Sequence, residues 1–554
     1  MAAEHRVVGQ RTARVDALDK VTGRALYAAD LQLPGMLHAA ILRSPFAHAR
    51  IVALDTTRAA ALPGVRAILT QQSLDADMAL IVEEEAHATR RVLDLFAADK
   101  VRYEGEKIAA VAADTREIAE QAVALIDIQY EPLPAVVDVR EATRPEAELV
   151  FDATTVITAP DGATMHNVNG EMHRVDGDLE AGWAAADRVF ERTYVIPRAH
   201  QGYIEPQVAV AEVDARGKIT LWTSTQGHFA IQSNISKSLR VPLSDVNVIG
   251  MTIGGGFGAK FGGIVDTYAV LLAKAAGRPV KLVYSRRDEF LDGRPAPGLV
   301  MTLKTGVTHD GTITARQATA WWDTGVGSGG LWSTSRIRGV YSIPNVQIDG
   351  YAVHTNKPAP GAYRAPGGPQ ATFASEAQLD EIAHELGLDP IELRLRNLPP
   401  DKPQIAFRRT LEAVAEQAGW ATRQKGEHEG WGVAIGEWTN GAGPAAAVVS
   451  LATDGTVQLF YGLMDITGSD TACAQIAAEV LGVPFEHVRV TRGDTDSAPF
   501  GTASGGSVTT FSFGNAVREA AEAARGQLLA LAAEHFSEPD QPITIEQLEV
   551  VDQA

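Results

Sequence analysis

A pattern of strand, turn, strand, helix, strand and glycine-rich loop occurs twice along the chain, and it constrains the fold more than any other feature. After the helix both copies carry Val-Pro, at residues 241–242 and 483–484, and both loops carry Phe-Gly, at 257–258 and 500–501. The spacing between these pairs agrees to within one residue. We therefore predict an internal repeat of two α/β units whose loops line one cleft. Chance similarity between two common α/β units is the alternative interpretation.

The length of the chain and its pattern of strand-like and helical segments predict several domains with an α+β fold. The chain has 554 residues, of which 45% are hydrophobic, and this is too long for a single core. Short strand-like runs and a helix near 118–126 fill the beginning, and a polar, turn-rich stretch separates them from the repeat. We predict a first domain at 1–142, a linker at 143–158, a second domain at 159–424 and a third at 425–554.

Charge and hydropathy exclude several classes of function. A formal net charge of -20 disfavours binding to nucleic acid or anionic membranes, which need clustered Lys and Arg. The sequence has no run of about 18 apolar residues that would predict a membrane helix. Its first residues also lack the order of a secretory signal. We therefore expect no nucleic-acid partner, no membrane insertion and a cytoplasmic location.

The chain has a single cysteine, Cys473. An iron-sulfur cluster takes about four thiolates, so this chain cannot hold one by itself. If the protein catalyses a redox reaction, its electrons must leave to another protein.

Three loops combine residue types that bind anions or cofactors. The first loop, 254–260, reads GGGFGAK; the second loop, 361–370, reads GAYRAPGGPQ; the third loop, 501–510, reads GTASGGSVTT. Glycine exposes backbone N–H groups, and the arginine of the second loop can donate to oxo or phosphate oxygens. A structural turn is the alternative for each loop taken alone. The first loop lacks the Lys-Ser/Thr of a phosphate-loop ATPase, which leaves that class a distant alternative.

Together the three loops resemble the molybdenum-binding large subunit of the xanthine dehydrogenase/aldehyde oxidase family of molybdenum hydroxylases. RVDALDKVTGRALYAAD near the N-terminus, DPIELRLRNL, and GNAV at 514–517 add to this resemblance, which covers nearly the whole chain. It implies an N-terminal hammerhead-like α/β domain followed by two related mixed α/β molybdopterin-binding domains. It also implies a Mo-molybdopterin cofactor, in its cytosine dinucleotide form, with no direct protein ligand to the metal.

The resemblance assigns site residues position by position. Gln226 and Arg364 would be catalytic residues at the metal centre; an N-capping role is the alternative for Gln226. The residues expected to bind the cofactor are Gly255, Gly256, Phe257, Gly258, Arg364, Thr467, Gly468, Gly505, Gly506, Ser507, Val508 and Thr509. Thr467 stands where the family commonly has glutamine, so a turn before a helix from Thr471 is at least as good an interpretation there.

The family's general base is a glutamate in a Gly-Glu-Pro segment well beyond GNAV, and this sequence has no such segment there. We expect a second chain that completes the second molybdopterin-binding domain and carries this glutamate. An inactive cofactor-binding remnant is the competing explanation. The resemblance further implies a small 2Fe-2S subunit and an FAD subunit as electron-accepting partners.

The substrate residues also depart from one branch of the family. Xanthine-oxidising members have a glutamate and an arginine where this chain has Phe261 and Trp332, so purines would lose polar partners. With Pro366, these side chains suggest an apolar slot for a flat aromatic N-heterocycle; core packing is an equal alternative. Ala365 replaces the copper-binding cysteine of the CO-oxidising branch. The resemblance therefore implies a heterocycle hydroxylase, with an aldehyde oxidase or aromatic acyl-thioester reductase as alternatives.

Overall fold

The structure is a computed structural model that describes residues 5–74, 80–82, 91–93, 95–151, 155–160, 162–327, 331–399, 405–424 and 426–550. Helices and strands alternate throughout these ranges, so the predicted mixed α/β fold is confirmed.

The N-terminal region consists of short strands and helices. Its elements are α1 (Ala17–Val21), β1 (Leu37–Arg43), β2 (Ala49–Asp55), α2 (Thr57–Ala60), β3 (Val65–Thr70), β4 (Leu80–Val82), β5 (Arg91–Leu93), β6 (Lys100–Val101), β7 (Lys107–Ala113), α3 (Arg116–Leu125), β8 (Asp127–Pro132) and α4 (Val139–Ala142). The helix predicted near 118–126 is α3, and the Thr115 side chain caps it by accepting a hydrogen bond from the Ile118 amide.

The middle region holds the first copy of the repeat and a long antiparallel sheet. Its elements are β9 (Ile157–Thr158), β10 (Thr164–Met165), β11 (Val168–Asp176), α5 (Leu179–Ala184), β12 (Arg188–Ile196), β13 (Val208–Val213), β14 (Ile219–Thr223), α6 (His228–Leu239), β15 (Val246–Gly250), α7 (Asp266–Ala276), β16 (Val280–Val283), α8 (Arg286–Asp292), β17 (Gly298–Val307), β18 (Ile313–Gly325), β19 (Asn345–His354), α9 (Gly368–Leu386), α10 (Pro390–Asn397) and α11 (Ile405–Gln417).

The last region holds the second copy of the repeat. Its elements are β20 (Ala447–Leu451), β21 (Val457–Tyr461), α12 (Ser469–Leu481), β22 (Val488–Arg492) and α13 (Thr509–Phe536). The β20–β21 hairpin packs with α12 and α13 around a core of its own, formed by residues such as Leu459, Ala477 and Phe513.

One seven-stranded sheet crosses the predicted boundary at 143–158. Its order is β15-β14-β13-β16-β1-β7-β3, and β1 pairs in parallel with β16 through Leu37 and Val280. The N-terminal region therefore shares its main sheet with the first copy of the repeat. A five-stranded sheet, β11-β19-β18-β17-β12, packs against α9 and the helices that follow it.

The strand register confirms the internal repeat. In the first copy Val213 pairs with Ile219, and Ile219 pairs with Val246. In the second copy Leu451 pairs with Val457, which pairs with Val488. Both hairpins are antiparallel and both third strands are parallel to their neighbours, so the two copies have one topology.

The N-terminal arm, residues 6–15, crosses the molecule to the second copy of the repeat. The Glu479 carboxylate on α12 accepts hydrogen bonds from the amides of Arg6, Val7 and Val8. Burial alone would raise the pKa of Glu479, but these amides outweigh it and lower the pKa to about 2. No sequence pattern predicted this contact between residues more than 470 positions apart.

We expect the attachment of the arm to be lost in acid. Because the pKa of Glu479 is lower in the folded state, its contribution to the free energy of unfolding is present above about pH 4.5 and lost as the pH falls toward 2. Glu479→Gln should cost about 1 kcal/mol at pH 7, and its thermal midpoint should approach that of the wild type as the pH is lowered. Glu486→Gln, at an exposed position, is the control; equal behaviour of the two variants at pH 7 would contradict the prediction.

Candidate cofactor site

Each of the three loops follows a strand. The first loop lies between β15 and α7, the second follows β19 and includes the start of α9, and the third follows β22 and includes the start of α13. Each therefore leads from a sheet into a helix, where backbone N–H groups are available to a ligand.

The first and second loops touch through their backbones. The Arg364 amide donates to the Phe257 carbonyl at 2.9 Å. A Cβ at Gly258 would lie 2.6 Å from the Ala362 oxygen. A side chain at this position would push the two loops apart, so glycine is required for the close approach.

Gln226 joins the first loop to the third. Its Oε1 accepts from the Gly258 amide at 2.8 Å and from the Lys260 amide at 3.3 Å, and its Nε2 donates to the Ser504 carbonyl at 2.8 Å. The Ser504 amide in turn donates to the Gln226 carbonyl. The N-cap of α6 is Gly227, so Gln226 does not cap that helix. The three predicted loops thus meet at one site.

The backbone at this site is strained. Phe257, Arg364, Ala365 and Ser507 have φ values of 54°, 21°, 61° and 59°. Among the residues that the structure describes, only two other non-glycine residues have positive φ. Such conformations cost on the order of 1–3 kcal/mol each and persist where the surroundings impose them, often at functional sites.

The centre of the site is open to solvent. Phe257, Arg364, Gly506 and Ser507 are exposed, and no described residue hydrogen-bonds the Arg364 guanidinium. An exposed, unpaired guanidinium beside backbone N–H groups suits an anionic group. Of the other predicted cofactor residues, Gly255, Gly505, Val508 and Thr509 are half-buried and Gly256 and Gly258 are buried.

The segment 465–468 lies beside the third loop, because the Ser504 hydroxyl donates to the Met464 carbonyl. Thr467 is exposed. The Gly468 amide donates to Asp465 Oδ1 at 2.7 Å, so it is not free for a ligand. The following helix begins at Ser469 rather than at Thr471, because Asp465 also accepts from the Ser469 amide and hydroxyl.

The predicted substrate residues are only partly brought together. Phe261 is half-buried and packs on the third loop: a Cβ at Gly505 would lie 1.8 Å from its Cζ. The Pro366 carbonyl accepts from the Ser333 hydroxyl. Trp332 belongs to a 3-10 helix, Leu331–Arg338, but its side chain lies outside the described residues.

A buried ion pair that the sequence analysis did not single out supports the first loop. Lys260, at the end of this loop, has a fully buried side chain whose Nζ lies 2.9 Å from Glu205 Oε2. The same carboxylate oxygen accepts from the Gly254 amide and the Ser224 hydroxyl, at 2.7 and 2.5 Å. Burial lowers the pKa of Lys260, and Glu205 opposes this. The pair therefore holds both ends of the first loop.

The segment 438–444, which was not predicted as part of the site, lies against the second and third loops. The Gly441 amide donates to the Gly506 carbonyl at 2.9 Å, and the Gly443 amide donates to the Ser512 hydroxyl at 3.0 Å. The indole of Trp438 lies against Gly368 at the end of the second loop. The two glycines in TNGAGP were the available signal.

Family models match most of the chain. Residues 22–134 match "aldehyde oxidase and xanthine dehydrogenase, a/b hammerhead domain", and 161–398 and 407–553 each match "molybdopterin cofactor-binding domain". The first two loops lie in the first cofactor-binding match and the third loop in the second. The cofactor-binding matches thus contain all three loops.

Relatives agree with these matches. The chain is 31% identical to the xanthine dehydrogenase molybdenum-binding subunit of Escherichia coli O157:H7, over 94% of this chain and 72% of that protein. It is 33% identical to the nicotinate dehydrogenase large molybdopterin subunit of Eubacterium barkeri, over 74% of this chain and 94% of that protein. The chain belongs to the xanthine dehydrogenase/aldehyde oxidase family. The predicted family is therefore confirmed.

A solved family member has the same fold. Quinoline 2-oxidoreductase from Pseudomonas putida 86 superposes with a TM-score of 0.86 and 29% identity, over 99% of this chain and 74% of that one. The chain spans only 61% of another, longer solved chain that it matches. The predicted hammerhead domain and two molybdopterin-binding domains are confirmed as a fold.

Among the described residues, no helix has the length and apolar character needed to cross a membrane. Cys473 is fully buried in the core of the second repeat copy, and burial raises its pKa to about 12. Its thiol is therefore poorly suited to bind a metal as thiolate.

Proposed function

We propose that this chain is the molybdenum-binding subunit of a multi-subunit hydroxylase that inserts oxygen from water at an electron-poor carbon of an aromatic N-heterocycle. The observation that carries the proposal is the junction at Gln226, where three loops with strained, exposed backbone enclose one open site. The cofactor is Mo-molybdopterin, in its cytosine dinucleotide form. When bound, it supplies the activation of water and accepts two electrons.

The residues at the junction fit an oxygen-rich, anionic cofactor. Gln226 is 3% exposed. Among the described residues its Nε2 donates only to the Ser504 carbonyl, so its second N–H can donate to an oxygen at the metal. The Arg364 guanidinium offers a fork of donors to the same group. Gly506, Ser507 and the start of α13 provide N–H groups and hydroxyls for the pterin. Each of these residues binds or orients, and no protein ligand to the metal is required.

The general base is proposed to be a glutamate on a second chain. Glu205, whose carboxylate contacts the first loop, is held by Lys260 and by the Gly254 amide, so it supports the loop. The Eubacterium barkeri relative, named a large molybdopterin subunit, is covered over 94% of its length. Because a protein named a large molybdopterin subunit is no longer than the region matched by this chain, its name and length support a molybdopterin-binding region divided between two chains. Two-electron transfer would proceed to 2Fe-2S and FAD partner subunits, since this chain has one cysteine.

The substrate class is supported by side chains and by relatives. Phe261 and Pro366 offer apolar surface beside the loops, and the two relatives whose names specify nicotinate and quinoline act on N-heteroaromatic rings. Xanthine is disfavoured, because Phe261 cannot hydrogen-bond a purine. A substrate screen with quinoline, nicotinate, xanthine and aromatic aldehydes separates these classes.

The test is to purify the protein from its native host with its partners. Molybdenum, iron and flavin per chain are measured, and every co-purifying polypeptide is sequenced. Near-stoichiometric molybdenum with a partner containing Gly-Glu-Pro is expected. Arg364→Met should lower the molybdenum content about 10-fold, whereas Arg409→Met, at an exposed position on α11, should not change it. A metal-free chain that purifies alone would overturn the proposal and leave the inactive remnant.

A further inference from the structure

The outer edges of the two repeat copies differ although their inner strands match. In the first copy, β13 pairs antiparallel with β16, through Ala209 with Leu282 and Ala211 with Val280. In the second copy, β20 is the end strand of the sheet β20-β21-β22. No described strand pairs with the edge of β20 that corresponds to the β16-bound edge of β13.

The direction of the free N–H groups on β20 follows from the turn. The Ala452 amide donates to the Thr456 carbonyl across the hairpin, as the Asp214 amide donates to the Lys218 carbonyl in the first copy. Because successive residues of a strand point their N–H groups to opposite sides, Val449 and Leu451 direct theirs to the outer edge. In the first copy this edge is occupied, since the backbone carbonyl of Gln207 accepts from the Tyr284 amide at 3.0 Å.

The helix above the sheet shows the same difference. In the first copy α7 packs on β13, β16, β7 and β3, and most of its residues are buried. In the second copy α13 packs on β20, on α12 and on a short 3-10 helix, Ile545–Gln547. It leaves Leu528, Leu531 and Phe536 exposed by 39%, 65% and 59%. The apolar surface of α13 therefore extends past the last strand of its sheet.

The described strand β20 carries none of the charged or proline residues that protect edge strands. β20 reads AVVSL, without charge or proline, and Val448 is 47% exposed. Proteins normally shield such edges with charges, proline or a covering element. An apolar edge without such residues, beside a helix with exposed apolar side chains, is suited to bind an added strand.

We propose that the outer edge of β20 binds, in antiparallel orientation, one β-strand of the second chain. This inference rests on the proposed function, which requires that chain. β16 is the template: its sequence is VKLV, and Val280 and Leu282 are buried in one core with α7. The bound strand should therefore carry apolar side chains at alternate positions facing α13, and its main chain should pair with Val449 and Leu451.

Hydrogen–deuterium exchange on the wild type tests the edge without a substitution. Amides of 447–451 are compared between the chain produced alone and the enzyme purified with its partner. Exchange should be at least about 10-fold slower in the enzyme, and cross-linking followed by mass spectrometry should join β20 to a strand of the partner. Equal exchange rates, or cross-links to a second copy or to this same chain, would overturn the inference.

A pair of matched variants gives a second measurement. Val449→Pro removes an outward N–H, and we expect it to weaken partner binding about 10-fold. Val490→Pro is the control, because Val490 is also half-buried against the same core. It lies on β22, the opposite end strand of the sheet, and no described strand pairs with the outer edge of β22. Equal partner binding by the two variants would contradict the inference.

The two proposals can fail separately. Molybdenum content and partner identity are measured on the same enzyme. If the enzyme contains molybdenum and a Gly-Glu-Pro partner, but the amides of β20 exchange as fast as in the chain alone, only the proposed strand pairing at β20 is overturned. A chain that holds molybdenum and turns over substrate without any partner would overturn the proposed second chain as well.

Discussion

Lys260→Met is expected to destabilise the protein by about 3–5 kcal/mol, because it leaves the Glu205 carboxylate buried without its cation. Lys260 Nζ also donates to the Ser224 hydroxyl and the Glu205 carbonyl, at 2.9 and 2.8 Å. Without the Lys260 ammonium group, Glu205 can no longer connect residue 260 at the end of the first loop to Gly254 at its start. The measurement is the free energy of unfolding in denaturant, together with molybdenum per chain in the purified enzyme.

Two controls separate this effect from a general loss of charge. Lys218→Met breaks an exposed ion pair with Asp496, in which the side chains are 31% and 41% exposed, and it should cost no more than about 1 kcal/mol. The double variant Glu205→Gln with Lys260→Met removes both charges and should recover part of the lost stability. A cost for Lys260→Met equal to that for Lys218→Met would refute the supporting role of the pair.

Local signals in the sequence predicted the elements and the loops. The hairpins follow from alternation around tight turns. The start of α10 is also a local feature, because Pro390 is its first residue and the Asp389 carboxylate caps it by accepting from the Ile391 amide. The meeting of the first and third loops followed from the internal repeat, because they follow equivalent strands. The second loop lies outside the repeat, and its contact with Phe257 was not predictable from it. These features depend on residues close together in the sequence or on a pattern that recurs.

Long-range pairing was not predictable in the same way. The partnership of β1 with β16 joins residues 37 and 280, and nothing in either strand's local pattern specifies its neighbour. The same holds for the contact of the N-terminal arm with Glu479. The role of Lys260 was missed because its partner Glu205 lies 55 positions away, so no spacing links the two charges.

Gly505→Ala is expected to disturb the third loop strongly, because the added methyl group would meet the ring of Phe261. An added Cβ would lie 1.8, 2.7 and 2.8 Å from three ring atoms of Phe261. The backbone at Gly505 does not have positive φ, so alanine is allowed conformationally and the clash alone causes the effect. We expect a loss of about 1–3 kcal/mol in the free energy of unfolding, and reduced retention of molybdenum.

Gly430→Ala, where no atom lies within 4 Å of the added Cβ, should be neutral. If the clash is the cause, Phe261→Ala in the same chain should restore stability to the level of Phe261→Ala alone; a double variant that loses as much as the sum of the single variants would show that Gly505 is required for another reason.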